Sequence, residues 1–147
     1  CVLDTDIGII IMDSIVIRLL RQVAAVSAAL IAAQNGWGLL NWFTLPLWLE
    51  LFAAIVLLDL AIYIQHIASH KIPLLWRMHR VHHADRDIDV TTGARFHPLE
   101  IMLSMFYKGL VIFIVGPSML AVFLFEVILN ASSLFNHANL KLTAGLD

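Results

Sequence analysis

The chain has 147 residues, 61% of them hydrophobic and 14% charged, with a formal net charge of -2 and a mean hydropathy of +0.88; soluble domains run at about 45–50% apolar and about 25% charged. The length suits one domain, the apolar excess excludes an ordinary soluble one, and the small negative charge without a Lys/Arg stripe argues against nucleic-acid binding. The single cysteine, Cys1, cannot form an intrachain disulfide, so no oxidising compartment is implied.

Four apolar stretches follow in chain order and predict an all-α integral membrane bundle of about four transmembrane helices, in two hairpins. Gly8 to Ala33 is interrupted only by Asp13, Ser14, Arg18, Arg21, Gln22 and Ser27, and these internal charges do not fit the apolar core of a signal peptide. Leu45 to Ala68 carries Glu50, Asp59 and Gln65 as its strongly polar groups. Ile101 to Val115 and Ser118 to Leu134 are parted by Gly116–Pro117, a turn signal. A bilayer core needs about 20 apolar residues per helix; the first two stretches reach this, and the shorter last two read as a tight hairpin. A hairpin buried inside a protein core is the alternative. No linker or internal repeat divides residues 1–147, which read as one domain.

Five of the nine Lys/Arg residues (Lys71, Arg77, Arg80, Arg86 and Arg95) lie between the second and third stretches. The positive-inside rule makes this segment cytoplasmic. The chain then crosses outward and back, so His137 returns to the same face as the other histidines.

Two polar stripes lead there. Asp59, Tyr63, His66 and His70 are spaced four, three and four apart, and Glu126, Asn130, Ser133 and His137 repeat that spacing, which places each set on one helix face. Ionisable groups within membrane helices normally face the bundle interior, so Asp59 and Glu126 are expected to point inward. There they either support a site or pair with donors on neighbouring helices.

All seven histidines bear on the site, and five fall between His66 and His83. His66 and His70, in "HIASH", stand one turn apart and can reach one metal ion; His79, His82 and His83, in "HRVHH", supply spacings of three and four. Imidazole suits Fe, Zn, Cu and Ni. Five or six such ligands exceed the four of a structural zinc site, so two ions are the natural reading. Asp59, Asp85, Asp87, Asp89 and Glu126 are candidates to accept ring N–H groups, although Asp85 to Asp89 equally fits a solvated acidic loop. His97, in "RFHPLE", lies outside any pair and is read as a hydrogen-bonding residue, whereas His137, in "LFNHANL", closes its stripe and is read as a ligand.

The motifs "HIASH" (HxxxH) and "HRVHH" (HxxHH), with "DVTTGARFHPLE" and "FEVILNASSLFNHANL", resemble the fatty acid hydroxylase/sterol desaturase superfamily of membrane di-metal oxygenases, and bacterial sterol desaturase-like members in particular. The resemblance covers nearly the whole chain. It implies four membrane helices under a cytosolic histidine-rich cap, in a bacterial inner membrane, with two non-haem iron ions for which zinc is a substitute. His66, His70, His79, His82, His83 and His137 would be the ligands, with His97, Asp59, Glu126 and Asn136 around them. The activity implied is oxidative hydroxylation or desaturation of a lipid C–H bond with dioxygen. Electrons would come from a ferredoxin, a cytochrome b5-like protein or a reductase, since no flavin, nicotinamide or Fe–S motif is present. The family carries a further HxxHH after the FNHAN-like segment, and the chain ends before it. Starting on Cys1 rather than Met and stopping at "TAGLD", it reads as cut at both ends, either a fragment of a longer enzyme or a non-catalytic subunit or scaffold in a larger membrane assembly. A haem-binding electron carrier is a further alternative, disfavoured because the histidines gather at one membrane end.

Overall fold

The computed structural model describes residues 2–80 and 98–137, with side chains over 16–80 and 98–133. Helix α1 (Val2–Gln34) leads through a 3-10 turn (Leu39–Trp42) to α2 (Leu47–Lys71) and a short α3 (Pro73–His79); α4 (Pro98–Val115) and α5 (Met119–His137) complete the bundle. The described residues form no strand, as the apolar stretches predict. The α4–α5 boundary falls at the Gly-Pro pair. Helix α1 begins earlier than its apolar stretch, and α3 is a separate element that the stretches do not reveal.

Helix α2 contains no Gly or Pro, and its apolar residues are spread around its whole circumference rather than gathered on one side, the pattern of a helix surrounded by hydrocarbon or protein. Phe52, Phe106 and Ile114 are 65%, 66% and 70% exposed on the outside of the bundle, where water would penalise them and lipid does not. Val16–Trp42, Leu47–Lys71 and Pro98–Val115 are long and apolar enough to cross a bilayer, and Met119–Ser133 is a shorter apolar helix. The chain is an integral membrane protein. Trp37, Trp42 and Trp48 are all exposed around the α1–α2 connection, and such rings favour the membrane–water boundary.

Packing depends on small residues where helices cross. Ala25 and Ala29 of α1 meet Leu58 of α2, Ile112 of α4, and Val122 and Phe125 of α5 in one buried cluster. Alanines there allow the close backbone approach by which membrane helices gain van der Waals contact. At the end bearing the tryptophans the two connections touch. Gly38 (φ 98) and Gly116 (φ 67) both take left-handed backbone, and a Cβ on either would strike the other's backbone. Glu50, in the first turn of α2, accepts hydrogen bonds from the N–H and hydroxyl of Ser118 (2.9 and 3.0 Å) just before α5. The bundle is thus fastened at one end, and the histidines lie at the other.

Candidate metal centre

The chain reverses at "KIP". A residue before proline is pushed out of the helical region, and Ile72 is extended (φ -89, ψ 117), ending α2. Pro73 then occupies the first helical position of α3, where its missing N–H costs nothing. The seven-residue α3 packs back on α2 and delivers His79 to the pair formed by His66 and His70.

The three imidazoles converge. His66 Nε2 and His70 Nε2 are 3.2 Å apart, and the His79 ring lies edge-on to both, with centroids at 5.0 and 4.8 Å. One ligand atom from each can be chosen so that all lie within 4.8 Å of one another. With metal–imidazole bonds of roughly 2.0–2.1 Å, two nitrogens on one ion stand roughly 2.9–3.4 Å apart. The 3.2 Å separation therefore suits a chelating pair, and the third ring needs only a small approach. The three residues could hold a metal ion.

His79 is buried, at 3% exposure, and its Nδ1 lies 2.6 Å from Glu100 Oε1 in the first turn of α4. Donation from Nδ1–H to this carboxylate makes Nε2 the basic nitrogen, the arrangement that orients metal-binding histidines. Glu100 is missing from the residues predicted around the site. Its signal is an acidic residue in the turn after Pro98, which alone reads as ordinary helix N-terminal chemistry.

A cavity of about 270 Å³ adjoins the cluster, and every helix contributes to it: Arg18 and Arg21 from α1, His66 from α2, His79 from α3, Glu100 from α4 and Glu126 from α5. Asn130 and Ser133 also line it, so the described part of the second polar stripe faces inward as predicted. Glu126 is buried and paired with Lys108 of α4. Gln65 Oε1 and Glu100 Oε2 are buried and have no hydrogen-bond partner among the described residues, so the wall holds acceptors that suit a polar occupant.

The first stripe behaves differently. Asp59 is exposed and Tyr63 is 60% exposed, and neither lines the cavity. The expectation that Asp59 points inward is therefore corrected. Asp59 does share a face with His66 and His70, but the core side of α2 runs through Ala54 and Leu58; His66 and His70 are themselves exposed, and α3 folding back over the end of α2 sets the buried His79 against them. His82, His83, Asp85, Asp87, Asp89 and His97 lie outside the described residues, as do the side chains of Asn136 and His137.

The family model for fatty acid hydroxylase matches residues 51–146. No curated protein and no solved structure matches the chain. The match takes in both histidine motifs and most of the bundle, and the chain belongs to the fatty acid hydroxylase family, a family that uses iron and whose activity points to lipid hydroxylation or desaturation.

Proposed function

We propose that the chain is the membrane-bound core of a di-iron oxidoreductase that hydroxylates or desaturates a lipid C–H bond with dioxygen. The observation that carries this reading is the convergence of His66, His70 and His79 at one end of an apolar bundle. His82, His83 and His137 complete the proposed ligand set, with Glu126, Asn136 and His97 around it. An unactivated C–H bond offers side chains neither an acidic proton nor an electrophile, so the bound iron would supply the redox chemistry.

The chain's own residues supply the surroundings. Glu100 fixes the His79 tautomer. Ile62, Ile101 and Leu129 give the cavity an apolar wall for an alkyl segment entering from the bilayer. The Lys108–Glu126 pair keeps buried charge compensated beneath it. Electrons come from a separate ferredoxin, cytochrome b5-like protein or reductase, docking on the cytoplasmic face of the inner membrane, where the basic segment after α2 lies.

The test is iron content. Detergent-purified chain loaded anaerobically with ferrous iron should hold about two ions per polypeptide, and His70→Ala and His79→Ala should each lower that number while elution on gel filtration stays unchanged. Wild-type chain without iron, or variants that keep it in full, would overturn the reading.

A further inference from the structure

Helix α2 packs on α4 and α5 through the side that holds Ala54 and Leu58. Its other side carries Phe52, Val56, Asp59, Tyr63, His66 and His70, spaced four, three, four, three and four residues apart, and all six are exposed. Alternating steps of four and three give a 3.5-residue period, the seam along which two helices supercoil left-handedly with knobs in holes. Among the described residues, α3 meets only the histidine end of this seam, where His79 stands against His66 and His70. From Phe52 to Tyr63 the seam faces outward.

Phe52 and Val56 suit lipid, but Asp59 does not. It is the middle residue of the span Leu47–Lys71, so its short side chain lies near the bilayer centre. It has no hydrogen-bond or ion-pair partner among the described residues. An ionisable group at that depth is costly against hydrocarbon and is normally turned to protein partners. Residues 81–97 and 138–147 are each fewer than the roughly 20 that a crossing helix needs, so a cover of full length comes from another helix.

The seam complements itself. Tyr63, one turn from Asp59, offers a phenolic O–H, and the Asp59 carboxylate accepts. Two copies inserted by the same charge rule run parallel, and across a two-fold axis residue i meets j while j meets i. Asp59 of each copy is thereby set against the second copy's Tyr63, twice in one interface. A single polar position in an otherwise apolar seam also fixes register.

We propose that the chain forms a parallel two-fold dimer in the membrane through the Phe52, Val56, Asp59 and Tyr63 face of α2, held in register by hydrogen bonds between Asp59 of each copy and Tyr63 of the other. The dimer requires neither bound metal nor the activity proposed above.

The test is disulfide capture of the chain in lipid bilayers at falling protein density, in a Cys1→Ser background and without metal. Val56→Cys should be captured as a dimer under mild oxidation, whereas Phe106→Cys, exposed on the outside of α4, should not. Added to Val56→Cys, Asp59→Ala and Tyr63→Phe should each move half-capture to about tenfold higher protein density. The two together should move it little further, because both remove the same bond. Asp59→Asn, which keeps an acceptor for the phenol, should retain most of the association. A chain that stays monomeric at every density would overturn the dimer and leave Asp59 to a helix of different sequence. Capture at Phe106→Cys as strong as at Val56→Cys would overturn the choice of face, and undiminished capture in both Asp59→Ala and Tyr63→Phe would overturn the polar contact.

Discussion

Glu100 Oε1 lies 2.6 Å from His79 Nδ1, so the first turn of α4 governs the imidazole at the end of α3. The contact joins residues 21 positions apart and orients His79 toward His66 and His70. Removing such a carboxylate typically lowers metal affinity by roughly 10–100-fold. Glu100→Ala should show a loss of that order in a ferrous or zinc titration, with helicity unchanged. Glu100→Gln, whose amide oxygen still accepts from Nδ1–H, should lose less.

The sequence announces the helices and the ligands more clearly than it announces their surroundings. Four apolar stretches and the Gly116–Pro117 break correspond to α1, α2, α4 and α5, because membrane burial writes itself into local composition. The spacing of His66 and His70 likewise yields their 3.2 Å approach directly. Spacing places residues on a shared helix face but does not say what that face meets. Asp59 shares its face with the histidines and is exposed, while Glu126 is buried against Lys108. Glu100 and the α1 arginines reach the site through contacts between distant segments, which no local pattern records.

The reversal at Ile72–Pro73 is a local device with a distant effect. Proline at position 73 keeps Ile72 extended and stops α2 from running straight into α3. Pro73→Ala lifts that restriction and lets the helix continue, which would carry His79 away from His66 and His70. The variant should keep its helical content and membrane insertion but bind metal more weakly. Wild-type affinity would show that packing of α3 alone holds the bend.

Lys108 and Glu126 have side chains only 6% and 3% exposed, so each depends on the other. Breaking a buried pair by removing one member costs about 3–5 kcal/mol, whereas replacing both with apolar groups of similar size is often neutral. Arg21 adds an asymmetry, since it also interacts electrostatically with Glu126 and Lys108. Glu126→Leu leaves two cations facing each other, while Lys108→Met leaves Glu126 with Arg21 as a partner. Thermal unfolding in detergent should therefore rank Glu126→Leu as the most damaging, Lys108→Met next and the double variant closest to wild type. A double variant less stable than either single one would contradict this account.

Glu50 acts at the opposite end of the bundle. Its two carboxylate oxygens accept from the N–H and hydroxyl of Ser118 at 2.9 and 3.0 Å, while the Ser118 hydroxyl oxygen accepts from the Ala121 N–H at 3.2 Å. These bonds satisfy donors that the start of α5 would otherwise leave bare, and they set a negative charge at the positive end of the helix dipole. Glu50→Ala strands the part-buried Ser118 N–H and should cost about 1–3 kcal/mol. Glu50→Gln keeps an acceptor but loses the charge and should cost about 0.3–1 kcal/mol. Because the contact lies beside the Gly38–Gly116 crossing, away from the histidines, both variants should lower the unfolding temperature and leave metal affinity unchanged. Weakened metal binding in Glu50→Gln under folded conditions would mean that the two ends of the bundle are coupled, and that this fastening helps to set the spacing of the helices around the site.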